Sequence, residues 1–208
     1  TTVPLTTPAH ASILTGLYPP SHGVRNNARF RLPEDATTLA EILARSGRRT
    51  AGFVASFTTS SAFGLGRGFQ KFDDDLGQDN SGRRRTQRSA TEVILKAARW
   101  LHDNGDKPFF LWVHLYDPHA PYTPPEEFQA RYRNDPYSGE VAYADQEIGR
   151  LYDVLDQLRA RPRTAIIALA DHGGTVGLTD ELRALPGGRV PRYPLDRTAV
   201  APLTQQSL

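Results

Sequence analysis

Cysteine is missing from all 208 residues, which excludes disulfides, thiolate metal sites and a cysteine nucleophile. Methionine is missing too, position 1 included. The chain is therefore expected to start downstream of its natural beginning, with any signal peptide or anchor of the parent lying upstream. An extracytoplasmic or membrane-anchored parent fits that expectation, and the compartment stays open. No apolar run approaches the ~20 residues a bilayer span requires. Excess charge of one sign is also lacking: 25 Lys and Arg against 23 Asp and Glu leave +2. Such a balance provides no cationic field for nucleic acid. The one dense basic stretch, Arg83-Arg84-Arg85 with Arg88, is expected to be solvated loop or helix start. What is present, 38% hydrophobic and 23% charged residues, suits one globular domain able to bury a core.

Hydrophobic periodicity alternates between strands and helices. Pro8–Thr15 is predicted to be a short helix capped by Thr6 or Thr7, with proline in its first turn. A Gly/Pro/Asn loop follows. Residues 37–47 predict an amphipathic helix burying Leu39, Ile42 and Leu43 and ending at Gly47. Residues 49–56 predict a strand, and 58–87 a loop-dominated stretch. Ser89 and Glu92 form a capping-box pattern opening a helix that Gly105 ends. "PFFLWVHLY" (108–116) is a near-continuous apolar run, as in a buried parallel strand. His114 within it is expected to be a hydrogen-bonded core histidine, and the proline-rich 117–128 to be irregular. Residues 139–161 predict the strongest helix, with Val141, Ile148, Leu151, Leu155 and Leu158 as its buried stripe. "TAIIALADHGG" (164–174) predicts a second buried strand. The fold class is therefore α/β, a large, mainly parallel sheet flanked by helices, with polar motifs at the carboxyl ends of strands.

Three of those motifs can carry chemistry. Asp171 and His172 leave a strand for a glycine-permitted turn, and carboxylate plus imidazole suits a divalent metal. The pair also fits a plain polar turn. His119 lies in a loop stiffened by Pro118 and Pro121, preorganised toward a ligand or simply rigid. The hydroxyls of "LTTPAHASILTG" precede a helix, where free N–H groups and the dipole favour an anionic oxygen. A threonine there can be a nucleophile or a helix cap. Together the three motifs describe a site for an anionic ester, in which one metal activates a hydroxyl and histidines hold the substrate's oxygens.

Those residues resemble the sulfatase family of the alkaline-phosphatase-like superfamily. Its signature runs Cys or Ser, any residue, Pro, a small residue, Arg, three variable residues, Leu or Met, Thr, Gly. Here the same register reads Thr6, Thr7, Pro8, Ala9, His10, Ala11-Ser12-Ile13, Leu14, Thr15-Gly16. "LYPPSHGVRNN", "TTLAEILARSGRRTAGFVAS", "GFQKFDDD", "PFFLWVHLYDPHAPYTPP", "VAYADQEIGRLYDVLD" and "ALADHG" continue the resemblance in order to about residue 174. It implies that Thr6 is both nucleophile and metal ligand, and that Asp171 and His172 are metal ligands. It implies that His10 replaces the signature arginine and that His119 contacts the sulfate or phosphate group. One divalent ion, Ca, Mg, Mn or Zn, is implied as cofactor, and a small anionic ester as partner.

The departures bear on the reaction. Cysteine or serine at the nucleophile position is oxidised to formylglycine in typical sulfatases, and threonine cannot give that aldehyde because its β-carbon carries a methyl. His10 is a part-time cation where arginine would be a permanent one. Both changes lean toward phosphoryl or phosphonyl chemistry. The family's first metal carboxylates lie upstream of the signature, and Gly174 stands where the family has an acidic residue. Residues 1–174 are thus expected to form a partial catalytic domain and 175–208 a divergent, disordered tail. The expected function is metal-dependent hydrolysis of sulfuric or related phosphate and phosphonate esters. The alternative is a non-catalytic or fragmentary relative that binds anions or partners.

Overall fold

The computed structural model describes residues 2–172. The predicted tail 175–208 and the Gly173-Gly174 turn lie outside the described residues. The elements in order are α1 (Thr6–Thr15), α2 (Pro19–His22), α3 (Leu39–Arg45), β1 (Arg49–Val54), β2 (Lys71–Asp73), α4 (Ala90–Asn104), β3 (Phe109–His114), α5 (Glu126–Arg131) and α6 (Pro136–Gln157). Two 3-10 turns, Phe57–Thr59 and Ser61–Phe63, precede β2.

The described sheet has the order β2-β1-β3, and both pairings are parallel. Alternation along β3 divides its side chains between two layers. Leu111 and Val113 pack with Ala51, Phe53, Val93, Ala97 and Leu151, on the side of α4 and α6. Trp112 packs on the opposite side with Ala11, Leu14, Val24 and Leu32, the side of α1. Phe69 stacks on both Phe110 and Trp112, at 5.6 and 5.8 Å between ring centroids. Gly52 in β1 makes room for this aromatic layer, because a Cβ there would come within 2.7 Å of the Phe72 ring.

Several local expectations hold for local reasons. Ser89 accepts from the Glu92 N–H, and the Glu92 carboxylate accepts from the Ser89 N–H, so α4 opens with a full capping box. Thr38 and Glu41 build another at α3. His114 is buried, and its Nδ1 accepts the Ala55 N–H at 3.3 Å.

Other expectations fail, each because tertiary contacts override a local pattern. Thr6 and Thr7 are first-turn residues of α1; Leu5 is the N-cap and has no side-chain cap. Asn27, twenty residues on, accepts the Thr7 N–H instead, at 2.9 Å. In α3, Ala40 is the buried residue, whereas Leu39 and Ile42 are exposed. Within 58–87 the short strand β2 pairs with β1, and its Asp73 holds the buried Arg88 at 2.5 Å. Regular structure resumes at Glu126, inside the proline-rich stretch. In α6 Leu155 is buried, while Glu140, Tyr143, Ala144 and Glu147 form the rest of the buried face. Residues 164–170 have no regular secondary structure and join no described sheet, leaving Ile166, Ile167 and Leu169 exposed. With no partner strand among the described residues, their apolar run has nothing to pair with.

Candidate active site

Helix α1 carries the opening motif and is fastened on three sides. Thr7 Oγ donates to the Thr58 carbonyl at 2.7 Å, and the Asn27 side chain accepts the Thr7 N–H. His22 is buried, and its Nδ1 accepts the Val24 N–H, so its Nε2 donates to Ser12 Oγ at 3.0 Å. Burial lowers the His22 pKa, in keeping with that neutral ring. These bonds use up Thr7 and Ser12 and leave the Thr6 hydroxyl directed elsewhere. The helix end itself is less open than its sequence predicts. Thr7 N–H goes to Asn27, Pro8 has none, and Ala9 N–H bonds the Leu5 carbonyl at 3.0 Å. Its attraction for an anion therefore comes mainly from the dipole.

Thr6 Oγ meets His172 Nε2 at 3.2 Å across 166 residues of sequence. One turn along α1, His10 Nε2 lies 3.4 Å from Asp171 Oδ2, and His172 Nε2 lies 3.5 Å from the same oxygen. Thr6, His10, Asp171 and His172 thus converge. His10 is buried, and neither of its ring nitrogens has an aligned hydrogen-bond partner. Leaving such a group unpaired costs about 1–3 kcal/mol. Burial raises the Asp171 pKa, but the neighbouring His10, and then His172, outweigh it and bring the value down to about 2. Asp171 is therefore a carboxylate throughout the physiological range.

Sequence reasoning gave His114 only a core role and passed over Tyr116, and both stand around this cluster. His114 stands edge-on to His10, with 4.8 Å between ring centroids. Burial first, and His10 second, push its pKa well below the usual imidazole range, while Asp171 pulls the other way. His114 is consequently neutral, a fixed polar wall at the carboxyl end of β3. Tyr116 is close enough to feel Asp171: burial first, then that negative charge, raise its phenol pKa.

The contacts of His119 are with Tyr116 and Ala120 rather than with Thr6, His10, Asp171 or His172. Its ring stacks on Tyr116 at 4.1 Å between centroids, and Nε2 meets Tyr116 Oη at 3.0 Å. Nδ1 lies 2.7 Å from the Ala120 carbonyl, which only accepts, so Nδ1 carries the proton and Nε2 accepts from the phenol. A cavity of about 430 Å³ is lined by Asp171 together with Ala9, Ser12, Ile13, Tyr18 and Leu169 among others.

The donors fit a divalent metal in kind: a carboxylate, an imidazole and a hydroxyl face one another. They do not fit it in number, since no group of three or more His, Cys, Asp or Glu among the described residues is placed to hold an ion.

Comparison with known proteins bears on the family and the fold. The profile of the Sulfatase family matches residues 1–193. An endo-4-O-sulfatase of Bacteroides thetaiotaomicron is 22% identical over 243 aligned positions, covering 83% of this chain and 48% of its own. Among solved structures, Ps i-CgsB in complex with k-i-k-neocarrahexaose superimposes with a TM-score of 0.63 at 20% identity, covering 76% of this chain and 46% of that one. The phosphonate monoester hydrolase of Agrobacterium radiobacter gives 0.57 at 17% identity, with 74% and 50% covered. The chain spans about half the length of each of these relatives. With the family profile spanning nearly the whole chain, the protein belongs to the sulfatase family.

Proposed function

We propose that the protein is the core of a hydrolase acting on sulfuric, phosphate or phosphonate esters, with Thr6 as its nucleophile. The observation that carries this reading is the Thr6–His172 contact at 3.2 Å beside the His10–Asp171 pair at 3.4 Å. The family's sulfatases and the phosphonate monoester hydrolase among its structural neighbours support ester hydrolysis as the chemistry.

Thr6 Oγ attacks the sulfur or phosphorus; the new Oγ–S or Oγ–P bond forms as the bond to the leaving oxygen breaks. The proton lost from Oγ ends on the leaving alkoxide. In the second step water attacks the same central atom and releases Thr6 Oγ, to which one proton of the attacking water returns. Charge developing on Oγ faces the positive end of α1. His10, whose Nε2 faces Asp171 at 3.4 Å, presents its other ring nitrogen, Nδ1, buried and without a hydrogen-bond partner among the described residues, to a non-bridging oxygen. His119 addresses the substrate from the neighbouring loop. Asp171, His172 and Thr6 are donors of the right kind but too few by themselves; completed by further ligands they would hold a divalent cation, which would lower the pKa of a coordinated hydroxyl.

The test is turnover of bis(p-nitrophenyl) phosphate and p-nitrophenyl sulfate, followed by intact-mass analysis of quenched enzyme. A phosphoryl or sulfuryl adduct on Thr6, lost together with turnover in Thr6→Ala, is the expected result; undiminished turnover by that variant overturns the assignment. A second reading, anion binding without turnover, draws on the short donor set among the described residues. Phosphate binding in the absence of any turnover would select it.

A further inference from the structure

The loop bearing His119 is held by groups that the reaction does not use. Glu140 lies in the second turn of α6, and its residue is only 4% exposed. Its two oxygens accept from two loop amides, Oε2 from the His119 N–H at 3.0 Å and Oε1 from the Thr123 N–H at 2.7 Å. Upstream, Asp117 Oδ2 accepts the Ala90 N–H at the start of α4, at 2.9 Å. Helix and loop are thus bolted together at both ends of the segment. Burying a carboxylate is costly unless its acceptors are satisfied, and both oxygens of Glu140 are used on this one loop.

We propose that Glu140 is the positioning residue of His119, a buried carboxylate clamp that fixes the loop 119–123 against α6 and so sets where the imidazole stands. The proposal rests on the reading of His119 as an anion contact. The His119 ring itself is tied only to Tyr116 Oη and the Ala120 carbonyl, both within three residues. Such local bonds orient the ring relative to its own loop. The Glu140 clamp and the Asp117 bond tie the backbone of the segment to the helices, and the Tyr122 ring packs edge-on against Tyr137 of α6. A side chain that merely filled space at position 140 would have no reason to be a charged, bidentate acceptor.

The clamp is measurable without substrate. Amide hydrogen exchange at His119 and Thr123 should accelerate about tenfold or more in Glu140→Ala, which removes both acceptors. Glu140→Gln keeps one acceptor oxygen and should release one amide while sparing the other. Amides of β1 and α4 serve as the fold control, and Glu140→Gln decides alone if the alanine variant does not fold. Inorganic phosphate followed by NMR supplies the functional readout. In the unsubstituted chain it should shift resonances at His119 and in the first turn of α1. In Glu140→Gln the α1 resonances should still respond, with affinity lowered about tenfold, while His119 no longer follows. Unchanged exchange, or faster exchange with phosphate affinity unaltered, overturns the proposal. Absence of any phosphate response in the unsubstituted chain would sink the anion-site reading itself. That result is separable from the clamp, because the exchange comparison needs no ligand.

Discussion

Thr6 and Thr7 are adjacent, identical and buried, yet they have different work. Thr7 gives its hydroxyl to the Thr58 carbonyl and its N–H to Asn27, both contacts that fasten α1. Thr6 spends its hydroxyl on His172. Thr7→Val should therefore cost about 1 kcal/mol of stability, the usual net value of a buried hydrogen bond, as read by urea unfolding. It should leave phosphate binding within a few-fold of the unsubstituted chain. Thr6→Ala should show the opposite pattern, with near-native stability and lost turnover. The dipeptide looks symmetrical in the sequence; only the partners, 51 and 166 residues away, separate the two.

Among the elements, α4 and β2 show how far local signals reach. The capping box of α4 is written in four consecutive residues, and so is readable directly. Strand β2 is three residues long and has no period to detect. Its importance lies in Asp73, which holds the buried Arg88 and the more exposed Lys96. Arg88 also donates to the carbonyls of Val54, Asp73 and Asp75, so the loop, strand and sheet are joined through one guanidinium. Burial raises the Asp73 pKa, but Arg88 and Lys96 more than offset it and the net shift is downward. A carboxylate whose folded-state pKa is depressed contributes stability above its ordinary pKa. That contribution is lost as pH falls through the lowered value. Asp73→Asn should therefore cost about 3 kcal/mol at neutral pH by stranding a buried cation. It should also flatten the fall in stability below about pH 4. Urea titrations at a series of pH values check both; an unchanged acid slope would remove Asp73 from the account.

At the scale of the whole molecule, the parallel sheet places the carboxyl end of β3, helix α1 and the Asp171-His172 segment around one cluster. If that cluster takes a divalent ion, binding to the folded state alone must raise its stability. Saturating Mn, Ca or Mg should raise the melting temperature by about 5 °C or more, and Asp171→Ala should abolish the shift. No shift with any of these ions, together with phosphate binding and no turnover, would favour the non-catalytic reading.

The sequence by itself determined the family, the strand–helix alternation and the residues worth watching. Those depend on local order: the spacing from Thr6 to Gly16, the capping boxes, and the apolar run that becomes β3. It also grouped Asp171 and His172 with the opening hydroxyls, and the family resemblance then assigned Thr6 and that pair their roles. Tertiary structure alone decided which threonine is open, because that turns on Asn27 and Thr58. It decided that His114 is neutral and packed against His10, which depends on burial and on the Ala55 amide. It placed Glu140 beneath the His119 loop, a contact across 21 residues that no local pattern marks. Spacing along a chain fixes periodicity and caps; which polar groups end up unpaired is settled only when distant elements meet.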